Sequence, residues 1–319
     1  MALRLRVDDP SGVAPARRAA EGLAADLGFD ERRAGEVAIV VTELATNLVR
    51  HGNGGEIVLH AKAPTVDVIA WDRGPGMRDP GLALEDGYST GGGPGNGLGA
   101  ISRLSATMDV YTGPGGTVVA ARLGPQDDPW QVDGLALAMA GESASGDAWT
   151  CARDGALVTI LLADGLGHGD DAAAAANTAL RELRTGAEPT HLLERIHAVL
   201  RVTRGAAAAI ARVDLAGGRV DYAGIGNIAG TIVDGHSTKS LVSMPGTLGH
   251  RLQRIRAFDY ELPPGGLLVM HSDGLRSGWE LKGYPGALRR DPLLIAALLI
   301  RDFERGRDDV SVVVARRPL

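Results

Sequence analysis

The seven residues 124–130, Gly-Pro-Gln-Asp-Asp-Pro-Trp, constrain this chain more than any other stretch. Their prolines remove backbone donors, and Gly-Pro favours a turn, so neither a helix nor a sheet strand is expected to run through them. A chain of 319 residues broken there is expected to form two domains, 1–124 and 131–319, joined by a linker at 125–130. Hydrophobic residues make up 45%, enough for a core in each half. Aromatics are only 4%, so those cores must be built from Ala, Val, Leu and Ile. The 45 glycines follow no collagen-like period and cluster at a few turns.

Charge narrows the partners. Residues 1–124 hold 12 Lys/Arg against 15 Asp/Glu, and the remainder holds 21 against 24. Neither half has the basic excess of a nucleic-acid binder, and no polybasic tail suggests a membrane surface. Cys151 is the single cysteine, which excludes a disulfide framework and a cysteine metal cage; in the strand-like Trp149 to Ala152 it reads as a buried structural thiol. Met1 to Pro10 lacks an apolar signal core, and no run of about 18 apolar residues is present to span a bilayer. A reducing cytoplasm is the expected compartment.

Periodicity predicts helices over Ala14 to Leu27 and Glu31 to Arg50, the second with Val37, Val40, Val41, Leu44 and Leu48 at helical spacing. Strands are predicted at Glu56 to Lys62, Thr65 to Trp71, Met108 to Tyr111 and Thr117 to Leu123, with a short helix from Ala100 to Leu104. After the linker, strands are predicted near Gln131 to Ala140, Ala148 to Ala152, Ala156 to Ala163, Ala206 to Leu215, Arg219 to Ala223, Leu267 to His271 and Val310 to Ala315. Helices are predicted at Asp171 to Arg184, Pro189 to Val202 and around Leu293 to Phe303.

Glu43 and Asn47 lie four apart on the apolar second helix and so share a face. Alone, such a pair is a solvated stripe. Asp72, however, ends a strand and opens Asp72-Arg73-Gly74-Pro75-Gly76-Met77, where glycines admit a flat ligand and a carboxylate can accept from an exocyclic amine. Gly95-Asn96-Gly97-Leu98-Gly99 then precedes a helix, the arrangement of an anion cradle. It lacks the Lys-Ser/Thr of a Walker loop.

In this order ELATN, DRGPGM and GNGLG resemble the N, G1 and G2 boxes of the GHKL ATPase superfamily, and most closely the RsbT-like serine kinases of bacterial partner switching, with Leu82 to Thr90 adding to the likeness. The resemblance implies ATP and Mg²⁺ as cofactors. Asn47 would hold Mg²⁺, Glu43 would accept the substrate hydroxyl proton, and Asp72 would bind adenine in a pocket shaped by Gly74 and Gly76. Gly95, Gly97 and Gly99 would wrap the phosphates. His51 reads as a helix-end residue and Arg73 as a solvated turn residue.

In the second half, Asp147 lies in Ser-Gly-Asp, Asp164 in Asp-Gly-Leu-Gly-His-Gly, Asp273 in His-Ser-Asp-Gly, and Asp308 in Arg-Asp-Asp-Val-Ser. Any one is an ordinary turn aspartate. Together, three of them beside apolar strands, they suggest convergence on a hard cation, Mg²⁺ or Mn²⁺. The set resembles the PPM-type protein phosphatases of the SpoIIE branch and its RsbX-like members, to which Gly224 to Asn227 adds. By that resemblance Asp164 would bridge two metal ions, the Gly165 carbonyl would join it, Asp273 and Asp308 would complete one ion's shell, and Asp147 would hold a metal-bound water. Asp309 stays open as the alternative to Asp308. His168 either supports the site or merely sits in its turn, and Asp170 and Asp171 read as the cap and first turn of a helix.

The expected chain is therefore α/β (α+β), a GHKL-type sandwich followed by a PPM-type β-sandwich flanked by helices. The implied substrates are STAS-type antagonist proteins in a stress or sigma-factor switch. The alternatives are a half that only binds nucleotide or partner, or a plain ATP hydrolase.

Overall fold

The computed structural model describes residues 2–77, 97–125, 131–235, 237–252 and 254–319, which divide into two compact units, Met1–Pro129 and Trp130–Leu319. The first runs β1 (Ala2–Val7), α1 (Val13–Asp26), α2 (Glu31–His51), β2 (Gly55–Lys62), β3 (Thr65–Trp71), α3 (Gly97–Leu104), β4 (Thr107–Gly113) and β5 (Gly116–Leu123). Its strands form one antiparallel sheet in the order β1-β2-β3-β5-β4. Helix α2 is well specified at both ends. Asp30 caps it by accepting from the Arg33 N–H at 2.8 Å, Glu31 lies in the first turn, and Arg50 and His51 lie in the last, all favourable to the helix dipole. Its buried stripe of Val37, Val40, Val41, Leu44 and Leu48 packs with Ile57, Leu59, Val66 and Val68, which alternate inward along β2 and β3.

Strand β1 was not anticipated. Its Leu-Arg alternation is a strand pattern: Leu3 and Leu5 pack on the core, while Arg4 pairs with Glu56 on β2 at 2.7 Å.

The second unit runs β6 (Val132–Leu137), β7 (Asp147–Asp154), β8 (Leu157–Gly165), α4 (Asp170–Leu180), α5 (Pro189–Val199), β9 (Ala206–Asp214), β10 (Arg219–Ile225), β11 (Ala229–Val233), β12 (Thr238–Ser240), β13 (Ser243–Met244), β14 (Phe258–Glu261), β15 (Leu267–His271), α6 (Pro292–Phe303) and β16 (Val310–Arg316). One sheet has the order β13-β10-β9-β8-β7, with β14 also on β10, and the other has the order β12-β11-β15-β16-β6. Their facing side chains, among them Ile160, Leu162, Ala209 and Tyr222 against Ile232, Leu268, Met270 and Val313, make a β-sandwich core. On the outer side of the first sheet, Ala175, Ala176 and Ala179 of α4 and Leu192, Leu193 and Ile196 of α5 cover Leu161, Ala163, Ala208 and Ile210. Alanines let α4 lie close to the sheet. Helix α6 lies against β6 and β16.

Four local readings change. Helix α4 stops at Leu180 rather than Arg184, and the last turn after α5, Leu200–Val202, is 3₁₀. Gly169, at φ 77°, holds the N-cap position of α4, so Asp170 and Asp171 are both first-turn acids. Cys151 is only half-buried, on β7 against the sandwich core.

Candidate functional sites

In the first unit, Glu43 and Asn47 are half-buried on α2. Gly97 opens α3 directly against them. A Cβ built there would lie 3.3 Å from Glu43 Oε2 and 3.6 Å from both amide atoms of Asn47. The buried Leu98 and Ile101 join the α2 core and fix that approach. The first-turn N–H groups of α3 thus begin beside a carboxylate and an amide, a setting for a phosphate and its counter-ion. Gly99 is buried within α3, and Gly95 and Leu82 to Thr90 lie outside the described residues.

Asp72 is buried just past β3, where its Oδ1 accepts from Gly74 N–H at 2.8 Å and Thr117 N–H at 3.1 Å. The carboxylate is therefore aimed by its own turn and by β5. A Cβ at Gly74 would lie 2.9 Å from the Gly52 backbone at the end of α2. Gly76 has φ +71°, and a Cβ there would lie 2.2 Å from the Gly113 carbonyl. Only glycine allows this turn to sit between the end of α2 and the β4–β5 hairpin. The sequence showed the glycines but not what they approach.

In the second unit the aspartates gather at strand ends. Asp147 and Asp164 are direct partners in the β7–β8 ladder. Asp273 follows β15 and Asp308 precedes β16, strands that are themselves paired. Glycine makes the approach possible: a Cβ at Gly165 would lie 2.1 Å from the Ala172 carbonyl of α4, and one at Gly274 would lie 1.9 Å from the Asp309 carbonyl.

The electrostatics record the crowding. Burial, then the charge of Asp164, raises the Asp147 carboxyl well above its usual range, against the lowering effect of the Ser272 and Ser311 hydroxyls. Burial and then the charges of Asp273, Asp308 and Asp309 push Asp164 up to about 7, although Asn227 donates to it at 3.2 Å. Asp308 is raised by burial and by Asp273 and Asp309. Like charges that raise one another's pKa are what a multivalent cation relieves. Among the described residues, the buried Asp147 Oδ2 has no hydrogen-bond partner. In donor type and charge, these residues fit Mg²⁺ or Mn²⁺. Among the described residues, no three His, Cys, Asp or Glu side chains are placed so that they could already hold one ion together.

Asp309 separates itself from Asp308. Both its oxygens are engaged by backbone, from Met139 N–H at 2.7 Å and Gly146 N–H at 2.6 Å, whereas the half-buried Asp308 accepts from Asp309 N–H at 3.0 Å. Asp309 ties together the start of β16, the end of β6 and the start of β7. Sequence reasoning missed this anchor, the Asn227 contact and Glu142, whose Oε1 lies 2.8 Å from His168 Nδ1. It also missed His271. The Trp279 indole can only donate, so its 3.1 Å contact makes His271 Nε2 the acceptor and leaves Nδ1–H to donate to the Ser272 carbonyl at 2.7 Å. The turn carrying Asp273 is thereby braced from the core side.

Comparison with known proteins finds one family model in each unit. The histidine kinase-like ATPase domain model matches residues 7–123, and that of Stage II sporulation protein E (SpoIIE) matches residues 154–318. The serine/threonine-protein kinase RsbT of Bacillus subtilis (strain 168) is 33% identical over 104 residues, spanning 31% of this chain and 76% of RsbT. A chain solved in work on the bacterial stressosome, as a modular system adapted to control secondary messenger signaling, is 32% identical. It covers 58% of this chain and 98% of its own length, with a TM-score of 0.52. The PP2C phosphatase domain and regulatory fragment of SpoIIE from Bacillus subtilis matches with a TM-score of 0.50 at 18% identity over 96% of each chain, a likeness of fold.

Proposed function

Since the chain belongs to the SpoIIE family through its second half and to the histidine kinase-like ATPase domains through its first, we propose that it both adds phosphate to serine or threonine of a STAS-type antagonist protein and removes it. It acts as a partner-switching regulator in a stress or sigma-factor pathway. The observation that carries the reading is the gathering of Asp147, Asp164, Asp273 and Asp308 at paired strand ends, with Asp164 pushed up to about 7. A merely structural cluster of carboxylates would be matched by cationic side chains. Among the described residues, none of these four forms a salt bridge with Lys or Arg.

In the first unit Glu43 takes the proton of the attacking hydroxyl, and Asn47 would hold Mg²⁺ against the phosphates of ATP. Asp72 accepts from the adenine amine, Gly74 and Gly76 leave room for the base, and backbone N–H groups around Gly95, Gly97 and Gly99 receive the phosphates. Phosphoryl transfer needs positioning and charge neutralisation above all, which this set supplies. In the second unit Asp147, Asp164, the Gly165 carbonyl, Asp273 and Asp308 would hold two Mg²⁺ or Mn²⁺ ions. When bound, such ions neutralise charge on the phosphoryl group and activate water. Asn227 orients Asp164, and Asp309 holds the strand ends in register.

A Mn²⁺-dependent assay on a phosphoserine protein tests the second half. The wild type is expected to release phosphate and Asp164→Ala to release none, with unchanged circular dichroism. Equal release by the two proteins at saturating Mn²⁺ would make the aspartates structural and leave the second half a binding module.

A further inference from the structure

Between Glu194 and Asp214, and again between Asp234 and Asp259, the chain carries no acidic residue. These stretches contain Arg195, Arg201, Arg204 and Arg212, then Lys239, Arg251, Arg254 and Arg256, in a chain of net charge −6. The fold brings parts of both to one place. The turn after α5 and the loop before β14 are joined by reciprocal backbone bonds between Ala206 and Leu248 at 3.1 and 2.9 Å. The His250 ring adds a bond from Nε2 to the Arg204 carbonyl at 2.8 Å.

The same turn borders the aspartate site. Leu166 N–H, two residues beyond Asp164, donates to the Gly205 carbonyl at 3.0 Å, and a Cβ at Gly167 would lie 3.4 Å from an Arg204 guanidinium nitrogen. On the other side, Gly226 N–H, beside the Asn227 that contacts Asp164, donates to Met244 at the start of the loop.

Arg201, Arg204, Arg251, Arg254 and Arg256 are all exposed. Arg204 pairs with Asp171, and Arg256 lies over the Phe258 ring at 5.1 Å. Among the described residues, Arg201, Arg251, Arg254 and Arg256 form no salt bridge. Beside them Val202 is 93% exposed and Leu166 44%. Exposed guanidiniums on two joined segments, four of them without a carboxylate partner among the described residues, favour an anionic partner.

We propose that this arginine rim docks the phosphorylated partner protein, through acidic side chains that flank its phosphoserine, with Val202 and Leu166 as the apolar contact. The inference rests on the phosphatase reading of the second half. Arginine, with its planar fork, suits carboxylate recognition. The aspartate site bordering the rim is the one that would take the phosphoserine, so the residues flanking that phosphoserine reach the rim, which favours a protein partner.

The test uses the full chain and short fluorescein-labelled phosphoserine peptides flanked by Asp and Glu, by Ala, or by Lys. Fluorescence anisotropy reads binding, and p-nitrophenyl phosphate hydrolysis with Mn²⁺ reads the basal reaction. The acidic peptide is expected to bind about tenfold more tightly than the Ala peptide at low salt, with the advantage shrinking as salt screens it. The double variant Arg251→Glu/Arg254→Glu should lose that advantage, and Arg251→Gln/Arg254→Gln should lose part of it, both with unchanged p-nitrophenyl phosphate turnover. Equal binding of the three peptides, or an advantage that survives in the Glu variant, overturns the proposal. So does tighter competition by a single-stranded oligonucleotide than by the acidic peptide. If the wild type hydrolyses no p-nitrophenyl phosphate, it is the phosphatase reading that fails, because peptide binding is measured without turnover.

Discussion

Asp308 and Asp309 are chain neighbours whose carboxylates have different surroundings, and two variants should tell them apart. Asp309→Ala leaves the buried Gly146 N–H and the half-buried Met139 N–H without an acceptor, at a cost of about 2 kcal/mol or more, read as a lower urea midpoint. Asp308→Ala removes a half-exposed, raised carboxylate, so the midpoint in chelator should hold while Mn²⁺-dependent phosphatase turnover collapses. Matching effects of the two substitutions on stability would undo the distinction. At the kinase-like site, Glu43→Ala should keep ATP affinity in calorimetry but lower transfer about hundredfold, since a base acts on the hydroxyl and not on bound ATP. Asn47→Ala should lower both. Undiminished transfer by Glu43→Ala would refute the assignment of the base. The sequence made the aspartates and glycines visible because turn residues beside apolar strands are conspicuous. It did not reveal the contact of Asn227 with Asp164, or Glu142, roles that come from residues 63 and 26 positions away.

At the scale of the element, β3 and β5 are pinned across the ladder by Asp67 and Arg122, register partners joined at 2.6 and 3.1 Å. Burial alone would raise the Asp67 carboxyl, but the His60 ring and the Arg122 guanidinium beside it hold it below its ordinary value. A depressed carboxylate contributes its stability above the unfolded pKa, about 4, and loses it as pH falls through the lower folded value. Acid titration of the urea midpoint should therefore show a decline below about pH 4 in the wild type that is smaller in Asp67→Asn. Arg122→Ala, which strands the buried carboxylate, should cost about 3–5 kcal/mol at neutral pH; a cost under about 1 kcal/mol would show the pair to be dispensable. Elements with long apolar patterns, such as α2, β3, β15 and β16, were legible from periodicity. Strand β1 has a strand's Leu-Arg alternation, but its 6 residues are too few to make the period conspicuous. The two-residue β13 and the exposed three-residue β12 carry too few side chains to establish a period.

On the scale of the whole molecule, the sites draw on different residues in different units, so each should work without the other's chemistry. A chain running both reactions at full rate on one residue would merely hydrolyse ATP, so partner binding or distinct target residues must keep them apart. The most direct test is a time course of labelled phosphate on candidate STAS-domain proteins, with ATP, Mg²⁺ and Mn²⁺, for wild type, Asp164→Ala and Asn47→Ala. The account predicts that Asp164→Ala drives substrate phosphorylation above the wild-type level, while Asn47→Ala adds none and still strips pre-phosphorylated substrate. Phosphate that is removed equally by wild type and Asp164→Ala, or that never reaches protein with any of the three, would contradict it.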